Sequence, residues 1–183
     1  MNDWSFDAHG WLNCDLPDFR RVASPNFDPR PTGMSVELLV IHNISLPPDE
    51  FGGPGVEELF TNSLDPAEHP YYAEIQGMKV SAHFYIRRDG SLIQFVSCLD
   101  RAWHAGASQW QGRERCNDFS IGIELEGCDS QSFEDAQYAT LGRLCAALQG
   151  AYPLRARVGH ADIAPGRKTD PGPYFDWSRL PPI

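Results

Sequence analysis

Six histidines, His9, His42, His69, His83, His104 and His160, are the residues of this chain best suited to acid–base or metal chemistry. Two stand apart by what surrounds them. His42 follows the apolar run Val36-Glu37-Leu38-Leu39-Val40-Ile41, so a strand would deliver it to the mouth of a sheet, where α/β sites tend to lie. His160 opens residues 159–173, in which Pro165, Pro171 and Pro173 stiffen a loop that also carries Lys168 and Asp170. Two imidazoles and one carboxylate suffice for catalytic zinc with a fourth position left for water; His42, His160 and Asp170 would make that set. Asp162 competes as the carboxylate, and its alternative role is a loop-capping Asx turn. Ile121-Gly122-Ile123-Glu124-Leu125-Glu126 adds an acid: in a strand Glu124 and Glu126 share one face, opposite Ile121, Ile123 and Leu125. A general base for hydrolysis and a solvated acidic face are both open readings of that pair.

These side chains need elements to hold them. Residues 36–41 read as a central strand buried on both faces and ending at His42. Residues 43–79 are rich in turns, with one short helix around 56–61, and an ordered connection of that length is usually functional. Residues 80–87, the turn Arg88-Asp89-Gly90 and residues 92–96 predict a hairpin. Residues 119–125 predict another strand. Ser132 and Asp135 suggest the capping box of a helix whose buried face carries Tyr138, Leu141, Leu144, Cys145 and Leu148, with Gly150 as its stop. Residues 155–159 read as a short strand and 175–180 as a helical turn. Residues 1–34 show no period and are expected as an irregular arm on the surface. The sum is one α/β domain over residues 1–183, a central mixed sheet flanked by helices.

Composition narrows the partners. The 183 residues carry 15 Lys and Arg against 25 Asp and Glu, a formal charge of -10 that speaks against nucleic acid and against a polybasic membrane surface. No apolar run reaches the ~18–20 residues of a membrane span. The N-terminus has neither a basic nor an apolar segment of a secretory signal. Five scattered cysteines without a Cys-x-x-Cys read as free thiols in a reducing cytosol.

Several strings resemble one family. They are Val40-Ile41-His42-Asn43-Ile44-Ser45-Leu46-Pro47-Pro48, Val80-Ser81-Ala82-His83-Phe84, Arg101-Ala102-Trp103-His104-Ala105-Gly106, residues 111–127 and residues 159–173. In that order they are similar to the AmpD-type amidases, cytosolic N-acetyl-anhydromuramyl-L-alanine amidases of cell-wall recycling. These lie within the zinc amidases that also include T7-type lysozyme and peptidoglycan recognition proteins. The resemblance runs from about Gly10 to Trp177. It implies the fold of that group, Zn2+ held by His42, His160 and Asp170, Glu124 rather than Glu126 as acid/base, and Lys168 stabilising an oxyanion. Many family members have Cys where Asp170 stands. Substrate contacts implied are Asn43, Arg115 and Lys79, the last a departure from the family's arginine that forfeits a bidentate fork. Trp103 would stack on the sugar or fill the core. His69, His83 and His104 are assigned to the fold. The expected partner is a small molecule, an anhydro-muramyl peptide, met by a cytoplasmic monomer. A non-catalytic muropeptide sensor and a broad amidase on non-anhydro peptidoglycan are the alternatives.

Overall fold

The computed structural model describes residues 4–183; Met1, Asn2 and Asp3 of the expected N-terminal arm lie outside them. The rest of the arm is largely irregular but holds four short strands. It forms β1 (Ser5–Phe6), β2 (Leu12–Asn13), β3 (Arg20–Arg21) and β4 (Phe27–Pro29). Strands of two or three residues are too short for alternation to show in a sequence. Trp4 and Leu12 from this arm are buried in the main core, and β3 closes one edge of the main sheet.

That sheet is built on β5 (Leu38–Ile44), which runs two residues past the expected end at His42 and carries that histidine inside it. The strand continues because β11 (Ser120–Glu126) pairs with it along its full length, Ser120 opposite Leu38 and Glu126 opposite Ile44. The connection after β5 holds α1 (Gly55–Phe60) and an unexpected α2 (Pro70–Glu74), whose N-cap His69 accepts the Tyr71 amide at 3.1 Å. The hairpin is β6 (Phe84–Ile86) and β7 (Leu92–Gln94), antiparallel as expected. β8 (Asp100–Ala102) pairs with β4, and β9 (Gln109–Trp110) with β10 (Arg113–Glu114). α3 (Asp135–Ala151), β12 (Ala156–Gly159) and α4 (His160–Ile163) complete the chain, with 3-10 turns at Cys116–Phe119 and Trp177–Arg179. The six-stranded order is β12-β5-β11-β6-β7-β3, with β12, β5, β11 and β6 parallel and β7 antiparallel to β6.

Strand alternation divides the core. Leu39, Ile41, Ile121, Ile123 and Leu125 face α3 and pack with Tyr138, Leu141, Leu144 and Leu148. On the opposite face Leu38 and Val40 pack with Phe119 and Ile163. The helix starts two residues later than its sequence suggests: Glu134 is the N-cap, and the Gln137 side chain accepts the Glu134 amide at 3.0 Å. Gln137 Nε2 also donates to the Glu126 carbonyl at 3.0 Å, which ties this helix start to β11. Gly150 lies inside the helix, and the ladder closes with the Tyr152 amide on the Leu148 carbonyl. Among the described residues no helix is long and apolar enough to cross a membrane.

Candidate active site

Register alone brings three functional groups into a row. Gly159 pairs with Ile41, so His160 leaves β12 beside His42; Glu124 pairs directly with His42 on the other side. Neighbouring strands lie about 4.8 Å apart, and the three side chains emerge at the C-terminal ends of adjacent parallel strands. Asp170 returns through the proline-stiffened loop. The result is a cavity of about 270 Å³ walled by His42, Asn43, Trp103, His104, Glu124, His160, Lys168 and Asp170.

At its floor His42 Nδ1, His160 Nδ1 and Asp170 Oδ2 converge. The separations are 3.1 Å between the imidazoles, 2.9 Å from His42 to the carboxylate and 3.2 Å from His160 to it. The outward nitrogens decide the proton positions. His160 Nε2 donates to the Ala105 carbonyl at 3.0 Å, an oxygen that can only accept, so Nδ1 of a singly protonated ring presents a lone pair to Asp170. Burial lowers the proton affinity of His42, although Asp170 opposes the shift, which favours a neutral imidazole there. Burial raises the Asp170 carboxyl, but its close contacts with the His160 and His42 imidazoles outweigh this and hold the group below the usual carboxylate range. Lone pairs packed this closely call for a cation among them. A four-coordinate zinc with bonds of about 2.0–2.1 Å has donor–donor edges near 3.3 Å, which these donors match closely, and two imidazoles with one carboxylate are a zinc-compatible set. His42, His160 and Asp170 are the group of possible metal donors found among the described residues. Asp162 takes the other role considered for it: its Oδ2 accepts the Gly159 amide at 2.7 Å and caps the short α4.

The two strand carboxylates separate as sharply. Glu124 is buried, its Oε1 lies 3.9 Å from His42 Nδ1, and its Oε2 has no hydrogen-bond partner. Burial first, and the Asp170 charge second, push its carboxyl well above the ordinary range, while Lys168 pulls the other way. Glu126 is a tie: it accepts the Gly52 amide at 2.5 Å and the Arg88 amide at 2.9 Å.

Lys168 lies at the exposed rim of the cavity. Asn43 lines it, with Nδ2 donating to Asp129 at 2.8 Å and to the Pro171 carbonyl at 3.0 Å. Trp103 forms a half-buried wall, its indole N–H donating to Asp28 at 3.2 Å. Lys79 and Arg115 are not brought to this cavity. Lys79 lines a smaller one behind the shared wall of Leu59, Ile75 and Met78. Arg115 is exposed over a separate depression and lies 3.5 Å from Asp118. His104, assigned to the fold on sequence, has its Nδ1 2.9 Å from His42 Nε2; its sequence signal is its place in the Arg101–Gly106 string. His83 does serve the fold: Nδ1 accepts the Gly122 amide at 3.0 Å.

Comparison with known proteins agrees with this geometry. The profile of the N-acetylmuramoyl-L-alanine amidase family matches residues 32–173. The 1,6-anhydro-N-acetylmuramyl-L-alanine amidase AmpD of Escherichia coli K12 is 58% identical over 173 residues, 93% of this chain and 92% of that protein. The crystal structure of a selenomethionine AmpD derivative superposes with a TM-score of 0.90 at 55% identity, covering 96% of each chain. The complex of the E. coli amidase AmiD with anhydro-N-acetylmuramic acid-L-Ala-D-γ-Glu-L-Lys gives a TM-score of 0.59 at 30% identity, over 96% of this chain and 63% of that one. The chain belongs to the N-acetylmuramoyl-L-alanine amidase family, in its AmpD-type branch.

Proposed function

We propose that this enzyme is a zinc-dependent amidase that cleaves the bond between the lactyl group of 1,6-anhydro-N-acetylmuramic acid and the L-alanine of its stem peptide, in cytosolic recycling of cell-wall fragments. The observation that carries the reading is the pairing of the convergent His42, His160 and Asp170 donors with a buried carboxylate, Glu124, that has one oxygen free. Relatives named as anhydro-muramyl-L-alanine amidases support the substrate class, and five free cysteines support a reducing compartment.

His42, His160 and Asp170 would hold the zinc, which when bound supplies Lewis acidity toward the amide carbonyl and acidifies water. Glu124, raised in proton affinity by burial, accepts the proton of the attacking water and returns it to the departing L-alanine amine. Lys168 at the rim presents its ammonium to the oxyanion of the tetrahedral adduct; comparable donors contribute about 2.7–4 kcal/mol when tested by removal. Trp103 and Asn43 line the space left for sugar and lactyl group, and binding there excludes water from the reacting carbonyl.

Metal content and turnover measured together test this. The wild type is expected to hold one zinc per chain and lose activity on chelation, and Asp170→Ala to lose both zinc and activity. An Asp170→Ala enzyme with full turnover would remove the assignment.

A further inference from the structure

One dipeptide meets the outward nitrogen of both histidine donors. The Ala105 carbonyl accepts from His160 Nε2 at 3.0 Å, and His104 Nδ1 lies 2.9 Å from His42 Nε2. The two peptide N–H groups of this dipeptide are gathered by a single acceptor: Asn117 Oδ1 takes the His104 amide at 3.2 Å and the Ala105 amide at 2.8 Å. The His104 ring is then oriented at its far side, where Nε2 is 3.1 Å from Ser120 Oγ. Ser120 is itself fixed, because Arg30 donates to its carbonyl at 2.8 Å and to the Asn117 carbonyl at 3.0 Å. Finally, β11 makes room for the imidazole: a Cβ on Gly122 would lie 2.4 Å from His104 Cγ, closer than real atoms approach.

We propose that His104 is a positioning residue for the metal site, set by Asn117 and seated on Gly122, and that it accepts the His42 Nε2 proton so that His42 Nδ1 faces the metal. The physical requirement is simple. A neutral imidazole has one proton, and its position decides which nitrogen keeps a lone pair. The Ser120 hydroxyl can accept from His104 Nε2; in that tautomer His104 Nδ1 is an acceptor and the His42 proton sits on the outward nitrogen. The Ala105 carbonyl imposes the same choice on His160. One rigid dipeptide thereby sets both imidazoles, and hydrogen bonds to the outer nitrogen of a ligating histidine also raise its basicity. Gly122 is required for space rather than for backbone freedom, and this accounts for a glycine in the middle of a fully buried strand that packing alone would fill with a β-branched residue.

The inference rests on the zinc reading, and its test keeps the two apart. The metal-free wild type, His104→Leu and His104→Asn are titrated with zinc against a competing chelator. Nitrogen-15 NMR of the loaded proteins reads which His42 nitrogen carries the proton. His104→Leu is expected to bind zinc about 10–100-fold more weakly and to lose the single outward-protonated His42 signal. His104→Asn, which places an oxygen near the Nδ1 position, is expected to recover most of the affinity and the signal. Should His104→Leu fail to fold, Asn117→Ala is expected to weaken zinc binding in the same direction without removing any donor. A folded His104→Leu or Asn117→Ala with wild-type zinc affinity and an unchanged His42 signal overturns the positioning role alone. A wild type that takes up no zinc overturns both.

Discussion

Glu124 and Glu126 sit two residues apart on the same face of β11, are both buried, and do opposite things. Glu126 has each oxygen on a backbone N–H, one from the 43–79 connection and one from the hairpin turn, so it fastens two loops to the central strand. Glu124 stands opposite His42 with an oxygen that nothing satisfies. A buried polar atom without a partner costs on the order of 1–3 kcal/mol, which a fold tolerates where function requires the atom to be free. Residue type and spacing are therefore the same at the two positions. What differs is whether the surroundings complete the hydrogen bonding.

Substitutions that keep shape and remove charge sharpen this contrast. Glu124→Gln should lower kcat by about 10²–10⁴-fold, leave zinc content unchanged and keep the fold, as followed by steady-state kinetics and metal analysis. Glu126→Gln should do the reverse. Its amide group faces a backbone donor in one of the two contacts, so a loss of about 1–3 kcal/mol is expected in denaturant unfolding, with chemistry changed far less. If the two variants lost turnover equally, the division between proton carrier and tie would fail.

The same comparison has a pH signature in the metal-free protein. The raised Glu124 carboxyl keeps its proton in the folded state at pH values where the unfolded chain has lost it. The folded state then binds more protons, so stability falls as pH rises through the ordinary glutamate range toward the folded value. Metal-free Glu124→Gln should accordingly melt above the wild type at neutral pH, with the gap closing near pH 4 and below. The smallest effect belongs to Arg115: exposed and outside the cavity, its change to Ala should shift stability in denaturant unfolding by no more than about 0.5 kcal/mol, as surface substitutions usually do. A rise in KM for the same variant would support the substrate contact that the resemblance implies.

These particulars mark what a sequence can carry. The apolar run of β5, the hairpin and the proline-bounded loop are legible because burial and backbone restriction write themselves into residue type. His42 and His160 follow from them, with a carboxylate from the same loop, since a strand end and a stiff loop must place side chains somewhere definite. The choice between Asp162 and Asp170, or between Glu124 and Glu126, is not legible from spacing because it depends on which backbone amides point at which oxygen. His104 was hidden for the same reason: its role is visible only once Ser120, Asn117 and Gly122, distant from it in sequence, are folded around the ring. Lys79 and Arg115 show the converse, since matching a motif did not place them at the cavity. The helix start moved from Ser132 to Glu134 because Gln137 locks onto β11, a tertiary contact that no local capping pattern contains.

The most direct test of the account is mass spectrometry of anhydro-muramyl tripeptide incubated with the enzyme, with its non-anhydro counterpart in parallel, as isolated, after chelation and after zinc is restored. Release of the free peptide from the anhydro substrate, its loss on chelation and its return with zinc are expected. Cleavage of both substrates at equal rates would contradict the selectivity, and an intact anhydro substrate in the zinc-loaded protein would contradict the assigned reaction itself.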